Sequence, residues 1–366
     1  MAERLQNVTS FLSDRLPLEK LSVRSLITTK TVPVHSMSWA YYLGGLALFF
    51  FIIQLVTGLM LLFYYEPTVS DAHASVEHIT SHVAGGALVR NLHTWAASAM
   101  IFAVLAHMIT AFAMKAFDKP REITWLSGVV LLLIAFTFGF TGYLLPWHQI
   151  AVNATKVGLQ SIEEVGRYLP EGLAGLPTRV RELIQGEAAV GQATLSRFYA
   201  LHVVVLPLVF LATVGLHLLS VQLHGMSQGV DRPTGETERF FPLFVLKDFW
   251  LWGIAFLFIF ILALTVPFES FFTYPLFGAY EAMGSTPDGI KPEWYFYFVY
   301  YPLELLPFWL VGLLTNLALV VLVLAPWIFK GTRRKTLQIL AAVATIYLVV
   351  ITLFGDAIYH VFRGGQ

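Results

Sequence analysis

The chain of 366 residues contains no cysteine. Disulfides, thiolate-held iron–sulfur clusters and any group tethered through a cysteine thioether are therefore excluded. Charge is scarce too: 13% of residues are Asp, Glu, Lys or Arg against 57% hydrophobic, a balance too apolar for a soluble protein of this length. Acidic and basic residues number 23 each, and zero net charge argues against a nucleic-acid partner. The first thirty residues lack a compact apolar core followed by a small-residue cleavage site, so no signal peptide is expected there. Their mildly amphipathic pattern predicts a helix lying on a membrane surface over residues 1–30.

What the chain does have is long charge-free runs. Residues 39–65, 91–114, 123–150, 198–223, 249–268, 305–329 and 336–355 carry no Asp, Glu, Lys or Arg, and each can cross a hydrocarbon core of about 30 Å. Backbone polar groups in lipid must be satisfied within their own segment, so seven transmembrane helices and an all-α integral membrane protein are expected. With the N-terminus inside, fifteen Lys and Arg fall on the inner face and eight outside, five of these in the long outer loop 151–197. The positive-inside bias thus puts the N-terminus on the inner side. A polar stretch bearing Gly and Pro, 225–242, separates four spans from three. The expected parts are a surface segment (1–30), a four-helix bundle (31–230) and a three-helix part (231–366). Loop 151–197 is expected to hold amphipathic pieces lying along the membrane, and loop 267–304 is too rich in Phe, Tyr and Pro for a plain linker.

Four histidines lie inside the apolar runs. His93 and His107 are fourteen positions apart, His202 and His217 fifteen. At 100° per residue these steps return to within about 40° and 60° of the starting face, with roughly 21 Å between levels. The second and fourth spans run in the same direction, so His93 shares an outer level with His202, and His107 an inner level with His217. Two non-covalent b-type haems, each with iron between two imidazoles, suit this arrangement; no open position is left at the metal, so the haems would carry electrons. A single histidine in such a helix has a plainer reading as a hydrogen-bonded core residue, but polar groups inside membranes are costly and usually functional. Gly44 and Gly58 repeat the fourteen-residue spacing on the first span, and Gly128 and Gly142 on the third, which would let a flat macrocycle approach the backbone. Arg90 and Arg197 at the outer level, and Lys115 and Arg121 at the inner, are placed either to pair with anionic haem propionates or simply to snorkel at helix ends.

Several motifs then resemble the cytochrome b family of the quinol-oxidising cytochrome bc and plastoquinol complexes. They are Gln54-Leu55-Val56-Thr57-Gly58, Lys119-Pro120-Arg121-Glu122 with Thr124-Trp125, Gly142-Tyr143-Leu144-Leu145-Pro146-Trp147, Arg197-Phe198-Tyr199 before His202, and Pro292-Glu293-Trp294-Tyr295 in the aromatic loop. The likeness runs from about residue 30 to about 355. The fifteen-residue spacing and seven-helix plan look like the chloroplast-type protein, usually split after four helices. Ile290-Lys291-Pro292-Glu293-Trp294-Tyr295 and Lys247-Asp248 look like the mitochondrial and proteobacterial branch. Chloroplast-type proteins tether an additional haem through a cysteine near the start of the first helix. Tyr42 stands near that place, which rules out a tether and leaves a third, non-covalent haem at the inner side open.

The resemblance implies that quinol docks near the outer surface, where Glu293 takes its proton and Tyr143 and Tyr295 shape the pocket; Gln54 counts among the cofactor-contacting residues. One electron would pass to a Rieske iron–sulfur protein, and onward to a c-type cytochrome subunit or soluble acceptor. The other would pass through the outer and inner haems to quinone near the inner face, coupled to proton translocation. That inward step opposes the membrane potential by about 2.3 kcal/mol per 100 mV, so haem potentials should rise from outer to inner. Asp248 would relay a proton and Lys247 steady an anionic quinone at the inner site, with His224 a weaker candidate; an interfacial ion pair is the plainer reading of the first two. His148 follows Pro146-Trp147 at a place where the family does not usually have histidine, so it is either a proton relay or a surface residue. A homodimer in an energy-transducing membrane, such as a bacterial plasma membrane, is also implied. The rivals are a di-haem membrane anchor of a quinone-linked dehydrogenase, and a transporter or structural protein without redox function.

Overall fold

Among the residues described by the computed structural model (13–17, 30–228, 235–267, 280–281 and 291–363), six helices are long and apolar enough to cross a membrane. Most of segment 1–30 and much of loop 267–304 lie outside the described residues. Strand β1 (Thr31–Pro33) leads through one 3-10 turn, Ser38–Tyr41, into α1 (Tyr42–Leu62). A short helix α2 (Ala72–Ser81) precedes α3 (Gly86–Ala113) and α4 (Glu122–Leu144). Then come α5 (Gln149–Glu164), α6 (Leu176–Gln185) and the long α7 (Gln192–His224). Strand β2 (Thr237–Arg239) precedes α8 (Val245–Thr265). The C-terminal part is α9 (Tyr297–Leu305), α10 (Phe308–Val323), α11 (Ala325–Ile328) and α12 (Arg334–Arg363).

The spans are apolar on every side, as lipid requires. On α8, Phe249, Trp250, Leu257, Phe258 and Leu264 all point outward and are more than half exposed. A soluble protein would not leave such a surface to water. Inside the bundle, α1 packs along α3, α4 along α7, and α8 covers α3 and α1. The middle of the four-helix part is filled by Phe51, Met100, Ala135 and Phe210, all buried, with Phe51 and Phe210 stacked at 3.8 Å. Each of these four lies about halfway between the histidine or glycine levels of its own helix. The core therefore separates two levels with an aromatic floor.

Two expected spans are redrawn. The third, expected over 123–150, ends at Leu144, because Pro146 lacks an N–H to continue the helix and the chain turns into α5. The sixth, expected over 305–329, splits into the sixteen-residue α10 and the short α11, with Pro307 before the first and Pro326 inside the second. At 1.5 Å per residue α10 spans roughly 24 Å, and it stands as a shorter apolar helix beside the six long ones. Helix α2 was not anticipated; its signal is the buried set Ala72, Val76 and Ile79 at helical spacing.

At one end of the bundle, β1 pairs antiparallel with β2, Val32 opposite Glu238. Arg15 forms a buried ion pair with Glu122 at 2.7 Å, and His224 Nε2 bonds the Arg15 carbonyl at 2.8 Å. These contacts fasten the segment before α1 to the ends of α4 and α7. At the opposite end, α5 lays Val152 and Leu159 on Leu144, Trp147, Leu195 and Phe198. The expected amphipathic pieces of loop 151–197 are α5, α6 and the start of α7.

Candidate functional site

The ring centroids of His93 and His202 are 6.4 Å apart, and those of His107 and His217 are also 6.4 Å apart. Two metal–imidazole bonds of about 2 Å, with about 1.2 Å from each ligating nitrogen to its ring centre, add up to roughly 6.4 Å. Both pairs thus have the separation that one metal ion between two imidazoles requires, and they pair by level across α3 and α7.

Hydroxyl groups orient three of the four rings. Thr57 Oγ1 lies 2.8 Å from His93 Nδ1, Thr141 Oγ1 3.1 Å from His202 Nδ1, and Ser127 Oγ 3.1 Å from His217 Nδ1. Each of these hydroxyls immediately precedes one of the spaced glycines. The glycines face the rings themselves: a Cβ would lie 3.4 Å from His93 Cε1 at Gly58, 3.2 Å from His107 Cε1 at Gly44 and 3.3 Å from His217 Cε1 at Gly128. At Gly142 it would come within 2.6 Å of His202 Cε1, so any side chain there must displace the ring. The donor set, the spacing and the glycine cradles fit a haem at each level.

The unequal spacings are reconciled by a π-helical turn, Leu201–Val205, which contains His202. Pro207 has no N–H for the usual bond to the carbonyl four residues back, and its ring would crowd that carbonyl. Widening the turn takes up one extra residue, so fifteen steps on α7 serve as fourteen do on α3.

A cavity of about 290 Å³ runs from His93 and His202 to the end of the bundle that carries α5, where Arg90, Tyr143, His148 and Glu293 line it. Glu293 and Arg90 are both buried. The Tyr143 hydroxyl is buried and has no hydrogen-bond partner among the described residues. Tyr295 is buried against Gly139, where a Cβ would meet its hydroxyl at 2.7 Å. Burial, then the charge of Glu293, then Tyr143 push the Tyr295 phenol well above its ordinary range. Trp294 Nε1 donates to Ser98 Oγ at 3.1 Å and anchors the loop on α3.

His148 lines this cavity and also caps α5, its Nδ1 accepting from the Ala151 N–H at 3.2 Å. Burial, then His73 and Arg90, push its pKa from 6.5 down to about 4. A neutral ring accepting at Nδ1 carries its proton at Nε2. His148→Ala is expected to remove about 1 kcal/mol of capping and to speed amide exchange at Ala151, while His148→Asp restores protection. Because the folded pKa is the lower one, the unfolded chain binds more protons between pH 6.5 and about 4, and this contribution to stability is lost as pH falls through that window. Exchange at Ala151 that ignores all three changes would show that the cap is not formed.

The remaining sequence candidates are distributed differently. Gln54 Nε2 donates to the His93 carbonyl at 2.6 Å, bracing α1 on α3. Arg197 donates to the carbonyls of Glu182 and Leu183 and ties α6 to α7. Arg121 donates to the carbonyls of His224, Gly225 and Met226, closing the end of α7. Lys115 donates to the Lys330 carbonyl at 2.7 Å. Those backbone contacts, rather than a free cationic surface, occupy the three cations. Lys247 is exposed and pairs with Glu238, whereas Asp248 turns inward against Gly45, where a Cβ would lie 2.5 Å from Oδ2. Neighbours on a helix point about 100° apart, so the structure does not bring the two together. Tyr42 stacks on Phe244 at 4.6 Å. Thr57, Ser127, Thr141 and Gly139 carry site geometry that spacing alone did not single out; the hydroxyl residue before the glycine is the signal for the first three.

A family model described as Cytochrome b/b6/petB matches residues 27–225, and one described as Cytochrome b(C-terminal)/b6/petD matches residues 282–360. The chain is 43% identical over 276 residues to a cytochrome bc complex cytochrome b subunit of Chlorobaculum thiosulfatiphilum, covering 73% of this chain and 60% of that protein. It is 39% identical over 223 residues to cytochrome b6 of Mastigocladus laminosus, covering 61% of this chain and 99% of that one. Among solved structures, a chain described as hyperthermophilic respiratory Complex III superposes with a TM-score of 0.80 at 25% identity, over 95% of this chain and 91% of its own length. With one model on each side of the 229–234 connection, the chain belongs to the cytochrome b/b6 family, its N-terminal and C-terminal parts joined in a single polypeptide.

Proposed function

We propose that the chain is the cytochrome b subunit of a bc-type quinol oxidoreductase, oxidising quinol near the outer face and conducting electrons inward. The observation that carries this reading is the pair of imidazole couples at 6.4 Å, the outer one opening into the cavity that holds Glu293. His93 with His202, and His107 with His217, would hold two b-type haems, which would supply one-electron transfer. Thr57, Thr141 and Ser127 would favour the Nδ1–H tautomer of their rings and so leave Nε2 free to hold the metal. Arg90, buried on the cavity wall, would balance an anionic propionate at the outer level.

Quinol enters the cavity as substrate. Glu293 accepts its proton, the buried Tyr143 hydroxyl offers a hydrogen bond to a ring oxygen, and Tyr295 remains a neutral phenol shaping the wall. Packing of the aromatic loop on α3 through Trp294 excludes water from this step. Electron bifurcation would send one electron to a Rieske iron–sulfur protein and a c-type acceptor, and the other inward. Asp248, turned inward over Gly45 at the level of Gly44 and His107, is the better inner-site proton relay, with Lys247 held outside it. The reading includes a homodimer, an energy-transducing membrane such as a bacterial plasma membrane and the N-terminus inside, and leaves a third non-covalent haem at the inner side open.

Pyridine-haemochrome quantitation of the purified chain tests this directly, with two b haems per chain expected. Absence of b-type absorbance would remove every electron-transfer reading. Two haems without quinol oxidation in the presence of a Rieske protein would favour the dehydrogenase anchor.

A further inference from the structure

Three of the four histidines share one arrangement and the fourth departs from it. Thr57 donates its hydroxyl proton to the Ile53 carbonyl at 2.6 Å, Thr141 to Thr137 at 2.8 Å and Ser127 to Thr124 at 3.0 Å. With its proton so committed, each oxygen accepts from the imidazole; the His202 and His217 rings also hydrogen-bond the Phe138 and Thr124 carbonyls, so Thr57 alone serves His93. Gly44 faces His107 as the other glycines face their rings, but the residue before it is Leu43. His107 Nδ1 is buried and has no hydrogen-bond partner among the described residues. A buried N–H without an acceptor is costly and rare, so its occurrence at one of four equivalent places calls for a consequence.

That consequence follows from ligand chemistry. A hydrogen bond accepted from Nδ1–H draws the proton away and makes Nε2 a stronger donor to iron, which favours the ferric state. Without it the imidazole donates less, and the ferrous state gains relative to the outer level, where both rings are hydrogen-bonded. We infer that Leu43 is a positioning residue by omission: by withholding an acceptor from His107, it raises the reduction potential of the inner haem above that of the outer one. Inward electron transfer works against the membrane potential, and this asymmetry gives it a downhill component built into the protein. The inference rests on the haem reading above. It deepens that reading by naming the residue that makes the two levels unequal.

Optical redox titration of the purified complex, with the two haems resolved by their absorbance bands, tests it. Leu43→Thr should lower the inner midpoint and shift the electron-sharing equilibrium toward the outer haem by several-fold, up to about tenfold. Leu43→Val, similar in shape but without a hydroxyl, should leave it unmoved. Thr57→Val should raise the outer midpoint and narrow the gap. Equal shifts in the Thr and Val variants at position 43 would overturn the inference, as would two haems with unmoved midpoints in Leu43→Thr. If Leu43→Thr loses the inner haem, Thr57→Val decides alone, and an outer midpoint that stays put overturns the idea. Fewer than two haems in the unaltered chain would instead sink the haem reading itself.

Discussion

Replacing His202 by leucine is expected to reduce the haem content from two per chain to one, with the outer haem lost. The imidazole sits 6.4 Å from His93, with Thr141 on its Nδ1 and Gly142 against its edge, a geometry that leucine cannot reproduce. Changing a residue that merely hydrogen-bonds a metal ligand typically costs about 10- to 100-fold in metal affinity, and loss of the ligand itself should exceed that. The inner pair lies on the far side of the Phe51–Phe210 stack and should keep its haem. Haemochrome assay and low-temperature spectra of the variant provide the check. Retention of both haems at full occupancy would remove His202 from the ligand set. Quinol oxidation should collapse in the same variant, because the inward branch has lost its first carrier.

The second large effect is expected at Glu293. Glu293→Gln should lower quinol oxidation by about 10²- to 10⁴-fold, the usual contribution of a positioned proton acceptor, while leaving both haems and their spectra intact. The amide keeps the size of the side chain and its place on the cavity wall but cannot take a proton. Tyr295 is no substitute, because its phenol stays protonated at any working pH. Tyr143 touches the same cavity, but the charge that balances a departing proton is on Glu293 alone of the three. Steady-state turnover with a Rieske-containing complex measures the effect. An unchanged rate in Glu293→Gln, with quinol still bound, would move the acceptor elsewhere in the cavity, His148 being the next group to test.

Both predictions concern residues that are legible without coordinates. The fourteen-residue recurrence of histidine on one span and of glycine on two others predicts faces and depths within each helix, because 3.6-residue periodicity is a property of a single segment. Charge-free length likewise predicts the spans. It misjudges the third and sixth, where Pro146, Pro307 and Pro326 break the helix inside a run that stays apolar. Cationic residues are the least legible. Arg121, Arg197 and Lys115 each have the right type at the right depth for a haem propionate, yet all three donate to backbone carbonyls at helix ends. A long flexible side chain reaches many acceptors, and its choice depends on which carbonyls the neighbouring helices leave unsatisfied.

The amino-acid order by itself therefore determined a multi-span membrane protein with imidazoles at two depths and a Pro-Glu-Trp-Tyr motif in an aromatic loop. Only the packed structure decided that a π turn before Pro207 brings His202 into line with His217. It also decided that Thr57, Thr141 and Ser127 reach three rings while Leu43 leaves the fourth without an acceptor. The reason is physical. Spacing along one helix specifies rotation and height, whereas a hydrogen bond across two helices depends on how far apart and how rotated they settle, and that is set by all the side chains packed between them.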